Sequence, residues 1–155
     1  MGYNVIDLIN KSINIAIRKK AIYESIGQIK CDIPFIGTMS KVLAKETSHS
    51  INYYDELKSA VSESNTEEID FYIYDKMSFL IDEFNKKIYA TEINNIKEYL
   101  KFSLNLERDT KSLLMDIQGR FLRNASDTNT KTYKTLSDMI INKEKLVTSL
   151  KKIVK

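Results

Sequence analysis

The chain has 155 residues, 43% of them hydrophobic and 29% charged, which is typical of one soluble globular domain and excludes a disordered chain. Four glycines and a single proline are too few for the frequent turns of a many-stranded protein. The net charge of +3 is spread out and lysines outnumber arginines twenty to four, so the sequence predicts no nucleic-acid partner. A single cysteine, Cys31, excludes an intramolecular disulfide framework. With no signal-peptide pattern and no membrane-spanning apolar run, we expect a cytoplasmic protein without a membrane partner.

Apolar residues recur at helical spacing from about Asn4 to Ile29, which predicts a first long helix. The stretch CDIPFIG ends this helix, because Pro34 disfavours a helical conformation in the residue before it. A second helix is predicted from about Phe35 to Val61. Two long helices joined by so short a loop are expected to be antiparallel neighbours.

The second half of the chain repeats this pattern after a polar stretch, SESNTEE, and a shorter helix that ends at about Phe84. A further long helix is predicted from about Ala90 to Phe121. The loop NASDTNT follows, and its threonines can cap a last helix from about Thr132 to Val154. The sequence therefore predicts an all-α protein: a four-helix bundle of two antiparallel hairpins joined by a helical crossover, with residues 1–155 as a single domain.

Two polar residues, Glu46 and His49, fall on the predicted inner face of the second helix. The other members of this face are Phe35, Met39, Val42, Tyr53, Leu57 and Ala60. A buried carboxylate costs several kcal/mol, in rough terms, unless it is paired, hydrogen-bonded or bound to a metal. A glutamate and a histidine three residues apart reach the same point beside a helix, which suits a divalent metal ion.

Carboxylates also interrupt the predicted inner faces of the last two long helices. Glu107 lies midway between Leu100 and Leu114, and Glu144 lies near the edge of a stripe that includes Val147. The sequence thus predicts a metal site formed by Glu46, His49, Glu107 and Glu144.

The segments that carry these residues resemble the rubrerythrin branch of the ferritin-like superfamily. They are AIRKKAIYESI, VLAKETSHSINYYDEL, YLKFSLNLERDTKSLL and LSDMIINKEKLVTSL. The resemblance implies a ferritin-like bundle in which each hairpin supplies a Glu and a Glu-x-x-His to a di-iron centre. It also implies iron as the cofactor and a role in iron or oxidative-stress chemistry, with Tyr53 beside the ligands.

Two of the six ligand positions differ from the family pattern. Val147 occupies the second histidine position, and no acidic residue of the first helix lies opposite Glu46, where Lys20 is found instead. A lysine at the centre of the site can neutralise carboxylates without a metal. The alternative hypothesis is therefore a module without a cofactor, which keeps the bundle and has a structural or protein-interaction function.

The crossover region is rich in aromatic residues, namely Phe71, Tyr72, Tyr74, Phe79, Phe84 and Tyr89. These rings either pack between the crossover helix and the bundle, which the pattern favours, or form an exposed docking surface. If the crossover helix is exposed, we expect a homodimer through it.

Overall fold

The computed structural model describes residues 3–62, 66–89 and 92–154, and helices dominate this part of the chain. The helices are α1 (Val5–Ile29), α2 (Pro34–Ser62), α3 (Phe71–Lys87), α4 (Ile96–Phe121) and α5 (Lys131–Val154), with a short 3₁₀ turn, Ala125–Asn129, before the last. The all-α class is confirmed. The predicted boundaries of α1, α2 and α5 agree to within a residue or two. The crossover helix α3 runs from Phe71 to Lys87, three residues later at each end than the predicted span from about Glu68 to Phe84. Helix α4 begins at Ile96, six residues after the predicted start at Ala90, which lies outside the described residues.

Two pairs of neighbouring helices are antiparallel. In the first pair, Lys58 of α2 donates a hydrogen bond to Asn10 of α1 at the end remote from the turn. In the second pair, Gln118 near the end of α4 donates to Ser137 near the start of α5. One hydrophobic core includes residues from all five helices, so the two pairs share their interior.

The buried face of α2 differs from the predicted one by a rotation of one residue. Its buried members are Ile36, Ser40, Leu43, Ala44, Thr47, Ser50, Tyr54 and Val61. Most of them lie one position after a residue of the predicted face, which corresponds to about 100° around the helix. The prediction that Glu46 and His49 face the core is therefore wrong, since their side chains are 47% and 58% exposed.

Close packing of α1 against α2 explains why small hydroxyl residues occupy the buried face. A Cβ atom added to Gly27 would lie 2.9 Å from the Cβ of Ser40, which is too close for two carbon atoms. The two helices can approach this closely because residue 27 is a glycine. Two of the buried hydroxyls have hydrogen-bond partners, because Thr47 donates to the Leu43 carbonyl and Ser40 is hydrogen-bonded to the Tyr99 hydroxyl. Buried polar groups with partners carry little penalty.

The segment before α3 ties the crossover to the start of α5. The Glu67 carboxylate accepts hydrogen bonds from the backbone N–H groups of Lys131 and Thr132, which are otherwise unpaired at a helix start. The predicted threonine cap is also present, because Thr130 accepts from the Tyr133 N–H. At the other end of the crossover, Arg18 of α1 donates to the Ile88 carbonyl.

Among the described helices, none has an apolar stretch of the length needed to cross a lipid bilayer.

A buried ion cluster as the candidate functional site

Four ionisable side chains from three helices meet inside the bundle. Glu107 of α4 accepts hydrogen bonds from Lys19 of α1 at 2.6 Å and from Lys143 of α5 at 2.9 Å, both at its Oε1 atom. Its Oε2 atom accepts from the Tyr23 hydroxyl at 2.5 Å. All four residues are no more than 3% exposed. We call this set, Lys19, Tyr23, Glu107 and Lys143, the ion cluster.

Helical spacing brings the members of the ion cluster together. Lys19 and Tyr23 are four residues apart, so they project from the same face of α1. Lys143 lies on the buried stripe of α5 between Met139 and Val147. Glu107 is on the buried stripe of α4, as the sequence predicts.

One carboxylate cannot compensate two buried ammonium groups, and the pKa values reflect this imbalance. Burial lowers the pKa of Lys19 to about 7, against the opposing attraction of Glu107. Burial alone would raise the pKa of Glu107, but Lys143 and Lys19 lower it to about 2. Burial works against the charge on Lys143 as well, yet Glu107 outweighs it and raises the pKa of this lysine. At neutral pH Lys143 and Glu107 thus form an ion pair, and Lys19 is the lysine of the cluster that loses its proton more readily.

The structure does not bring the four predicted metal ligands together. Glu46 and His49 lie in a surface groove between α2 and α5, and Glu107 is in the ion cluster. Glu144 is paired with Lys111 of α4, and this hydrogen bond lowers the pKa of its carboxyl group. Within residues 3–62, 66–89 and 92–154, no three His, Cys, Asp or Glu side chains are grouped so as to hold a metal ion.

The ion cluster does not fit the di-iron centre that the family resemblance implies. A bridging carboxylate needs free oxygen atoms, and both oxygens of Glu107 already accept hydrogen bonds. Two lysine nitrogens also lie within 3 Å of Oε1, and the charged Lys143 would repel a divalent cation. The predicted contact between a buried lysine and a carboxylate is present at Glu107, but the lysines are Lys19 and Lys143 and not Lys20. His49 lies outside this cluster.

Amine chemistry at Lys19 is also incompatible with the geometry. A lysine with a lowered pKa can act as a nucleophile towards carbonyl compounds. However, Lys19 is 1% exposed, and the cavity beside it and Lys143 measures about 10 Å³, room for about one water molecule. No organic substrate can reach the nitrogen in this conformation.

No protein-family model, no curated protein and no solved structure matches this chain. Membership of the ferritin-like superfamily therefore stays a prediction from the residue pattern. The proposals below therefore rest on the geometry of the ion cluster and of the exposed faces of α2 and α3.

Substitutions in the ion cluster test its charge balance. We expect Glu107→Gln to reduce the free energy of unfolding by about 3–5 kcal/mol, because it leaves the buried Lys143 ammonium group without its counter-charge. Lys19→Met should change it by less than about 1 kcal/mol, because the Lys143–Glu107 pair remains complete. Urea denaturation followed by circular dichroism measures both, with the exposed Glu46→Gln as a control of unchanged stability. Equal losses for Lys19→Met and Glu107→Gln would contradict this charge assignment.

The lowered pKa of Lys19 also predicts a pH dependence. Between pH 7 and the ordinary value of 10.5, the unfolded chain binds a proton at Lys19 that the folded chain has released. The free energy of unfolding therefore rises with pH in this window, at most by about 1.4 kcal/mol per pH unit. We expect denaturation at pH 7.5 and 9.5 to show this increase in the wild type and to show a smaller one in Lys19→Met. A wild-type stability that is flat or falls relative to this variant would refute the prediction.

Proposed function

We propose that this chain is a non-catalytic interaction module with a ferritin-like helix arrangement, which binds a second copy of itself through the outward face of α3. The observation that carries the proposal is the exposure of three aromatic rings on this helix. Phe71, Tyr72 and Phe79 are 66%, 65% and 63% exposed. Large contiguous apolar patches on a soluble domain mark contact surfaces more often than chance.

The arrangement of helices supports the ferritin-like part of the proposal. Two antiparallel pairs, α1 with α2 and α4 with α5, are joined by a segment that contains its own helix. The two pairs also pack around one common hydrophobic core, as the helices of a four-helix bundle do. The engaged oxygens of Glu107 support the non-catalytic part, because they leave no open carboxylate at the centre.

The face of α3 suits antiparallel contact with its own copy. Phe79 is the midpoint of Phe71–Lys87, so a two-fold axis there allows the helices to overlap fully. Tyr72, one heptad before Phe79, then faces Lys86 of the second copy, one heptad after it. A lysine beside an aromatic ring is attractive, and Lys76 already lies 4.6 Å from the Tyr72 ring centre within one chain.

The charged residues beside this aromatic row are compatible with the same pairing. On one flank of α3, Lys76 would face Glu83 of the second copy, so two attractive pairs form. On the other flank Asp75 would face Asp82 of the second copy, but Lys11 lies 3.5 Å from Asp82 and compensates its charge. An aromatic side chain buries about 150–250 Å², so the four rings of Tyr72 and Phe79 in two copies, each exposed by two-thirds, supply roughly 400–670 Å². This is below the roughly 1,200–2,000 Å² that stable specific interfaces bury, which indicates a weak dimer.

The self-association is tested by sedimentation velocity over about 5–500 µM protein in EDTA. We expect the wild type to shift from monomer to dimer mass, and Phe79→Lys to remain monomeric because it places a charge on the two-fold axis. Ile29→Lys is the matched control, since Ile29 is 70% exposed but lies at the end of α1. A wild type that is monomeric throughout, or two variants that behave alike, would contradict the proposal.

The non-catalytic part is tested by anaerobic loading with ferrous iron. We expect no stoichiometric iron after gel filtration and no absorbance change when oxygen is admitted, because Glu107 is engaged by two lysines. Two irons per chain and an oxygen-dependent absorbance band would show instead that the cluster opens to bind metal, and the module would then be a metalloprotein.

A further inference from the structure

The pair Glu46 and His49 lies on the surface in an unusual setting. Both side chains line a groove of about 380 Å³ between α2 and α5, at about half exposure. The groove is otherwise largely apolar: Met39, Val42, Leu146 and Ile153 are among its lining residues, and Val42 and Ile153 are 45% and 44% exposed. Exposed apolar side chains, Val42 of α2 and Ile153 of α5, thus lie in the same groove as this pair.

The spacing of the pair matches two ligands of a tetrahedral metal ion. The His49 Nδ1 and Glu46 Oε1 atoms are 3.7 Å apart, which is too long for a hydrogen bond between them. Two ligand atoms at about 2.0–2.1 Å from a tetrahedral zinc ion are about 3.3–3.4 Å apart. Cis ligands of an octahedral magnesium ion would be closer, at about 2.9 Å. A small side-chain rotation therefore reaches zinc geometry more readily than magnesium geometry.

The chemistry of the two side chains indicates the same class of ion. Imidazole nitrogen and carboxylate oxygen are both ordinary zinc ligands, and imidazole is a poor ligand for magnesium or calcium. Within one chain the site is incomplete, because no third His, Cys, Asp or Glu in the described ranges joins the pair. A tetrahedral ion bound here has two open positions.

We propose that a zinc-class divalent cation bridges two copies of this chain, each supplying Glu46 and His49, across a two-fold axis beside the α2–α5 groove. An isologous contact brings the same pair from the second copy to the open positions and completes a four-ligand site. It also covers the exposed parts of Val42 and Ile153, which gives an apolar rim around the ion. Lys145 lines the groove too, and its exposed side chain can extend into solvent.

This inference goes beyond the proposed function and uses a different helix from the α3 contact. The two associations can therefore be separated experimentally. In the Phe79→Lys background the α3 contact is absent, so any zinc-dependent dimer arises elsewhere. Failure of the zinc bridge would leave the α3 proposal intact, and failure of the α3 contact would leave the zinc bridge testable.

The experiment is sedimentation velocity of Phe79→Lys with EDTA or with added zinc chloride, followed by metal analysis of the dimer fraction. We expect dimer mass only with zinc, and one zinc ion per two chains. His49→Ala in this background should weaken zinc-dependent dimerisation at least about tenfold, because even an outer-shell partner contributes about that much to metal affinity. Glu56→Gln, an exposed carboxylate of the same helix, is the matched control and should behave like its parent.

Cobalt substitution provides a readout that mass alone does not. A four-ligand site gives the intense visible bands of tetrahedral cobalt, and these bands should appear together with the dimer and be lost in His49→Ala. One zinc ion per chain without a change in mass would overturn the bridge, as would a zinc-dependent dimer that His49→Ala leaves unchanged.

Discussion

The burial of Glu107 against Lys143, with Lys19 hydrogen-bonded to the same oxygen, is the constraint on which the interior of this protein depends. Each member of the ion cluster has lost its water, and each ion is tolerable only because the others are within hydrogen-bonding distance. Lys19, Glu107 and Lys143 belong to α1, α4 and α5, so the cluster joins the two helix pairs at one level. Replacing a buried ion pair by apolar residues is often neutral in stability. The contribution we ascribe to the cluster is the fixed register of three helices, since sliding any of them by one turn would strand a charge.

The ion cluster fills the centre of the bundle, whereas the exposed faces of two helices remain open to partners. Both oxygens of Glu107 accept hydrogen bonds, and the adjoining cavity has room for about one water molecule. A substrate has no space beside the cluster in this conformation. The outward faces of α2 and α3, by contrast, carry apolar and aromatic side chains that the bundle does not need for its own core. A stable bundle that displays such faces is suited to holding partners in a fixed geometry.

Periodicity predicted the class of the fold and the extents of α1, α2 and α5, because long amphipathic helices have a strong signal in sequence. It failed on the rotation of α2. That helix is buried through Ile36, Leu43 and Tyr54 together with the small hydroxyl residues Ser40, Thr47 and Ser50. Of the predicted inner face, Phe35 and Val42 are exposed instead. A hydrophobic pattern does not show which face of a helix packs closely against its neighbour when that face contains small polar residues. The assignment of Glu46 and His49 to the core followed from this error.

The ion cluster was partly accessible from the sequence. Glu107 interrupts an apolar stripe and was assigned correctly to the interior. Lys19 and Lys143 also interrupt apolar stripes, between Ala16 and Tyr23 and between Met139 and Val147, which is the signal that could have found them. The loop register instead indicated Lys20, which lies half-buried on the groove between α1 and α2. Registers inferred from loop lengths are uncertain by a residue, and one residue of a helix separates the core from the surface.

The hydrogen bonds of the Glu67 carboxylate couple the local unfolding of two distant segments. It caps α5 from a position 64 and 65 residues away along the chain, so the cap exists only while the crossover is docked. Local release of the segment before α3 would leave the first backbone N–H groups of α5 without their acceptor, and the first turn would fray with it. The crossover and the start of α5 thus form one cooperative unit, although they lie far apart in sequence.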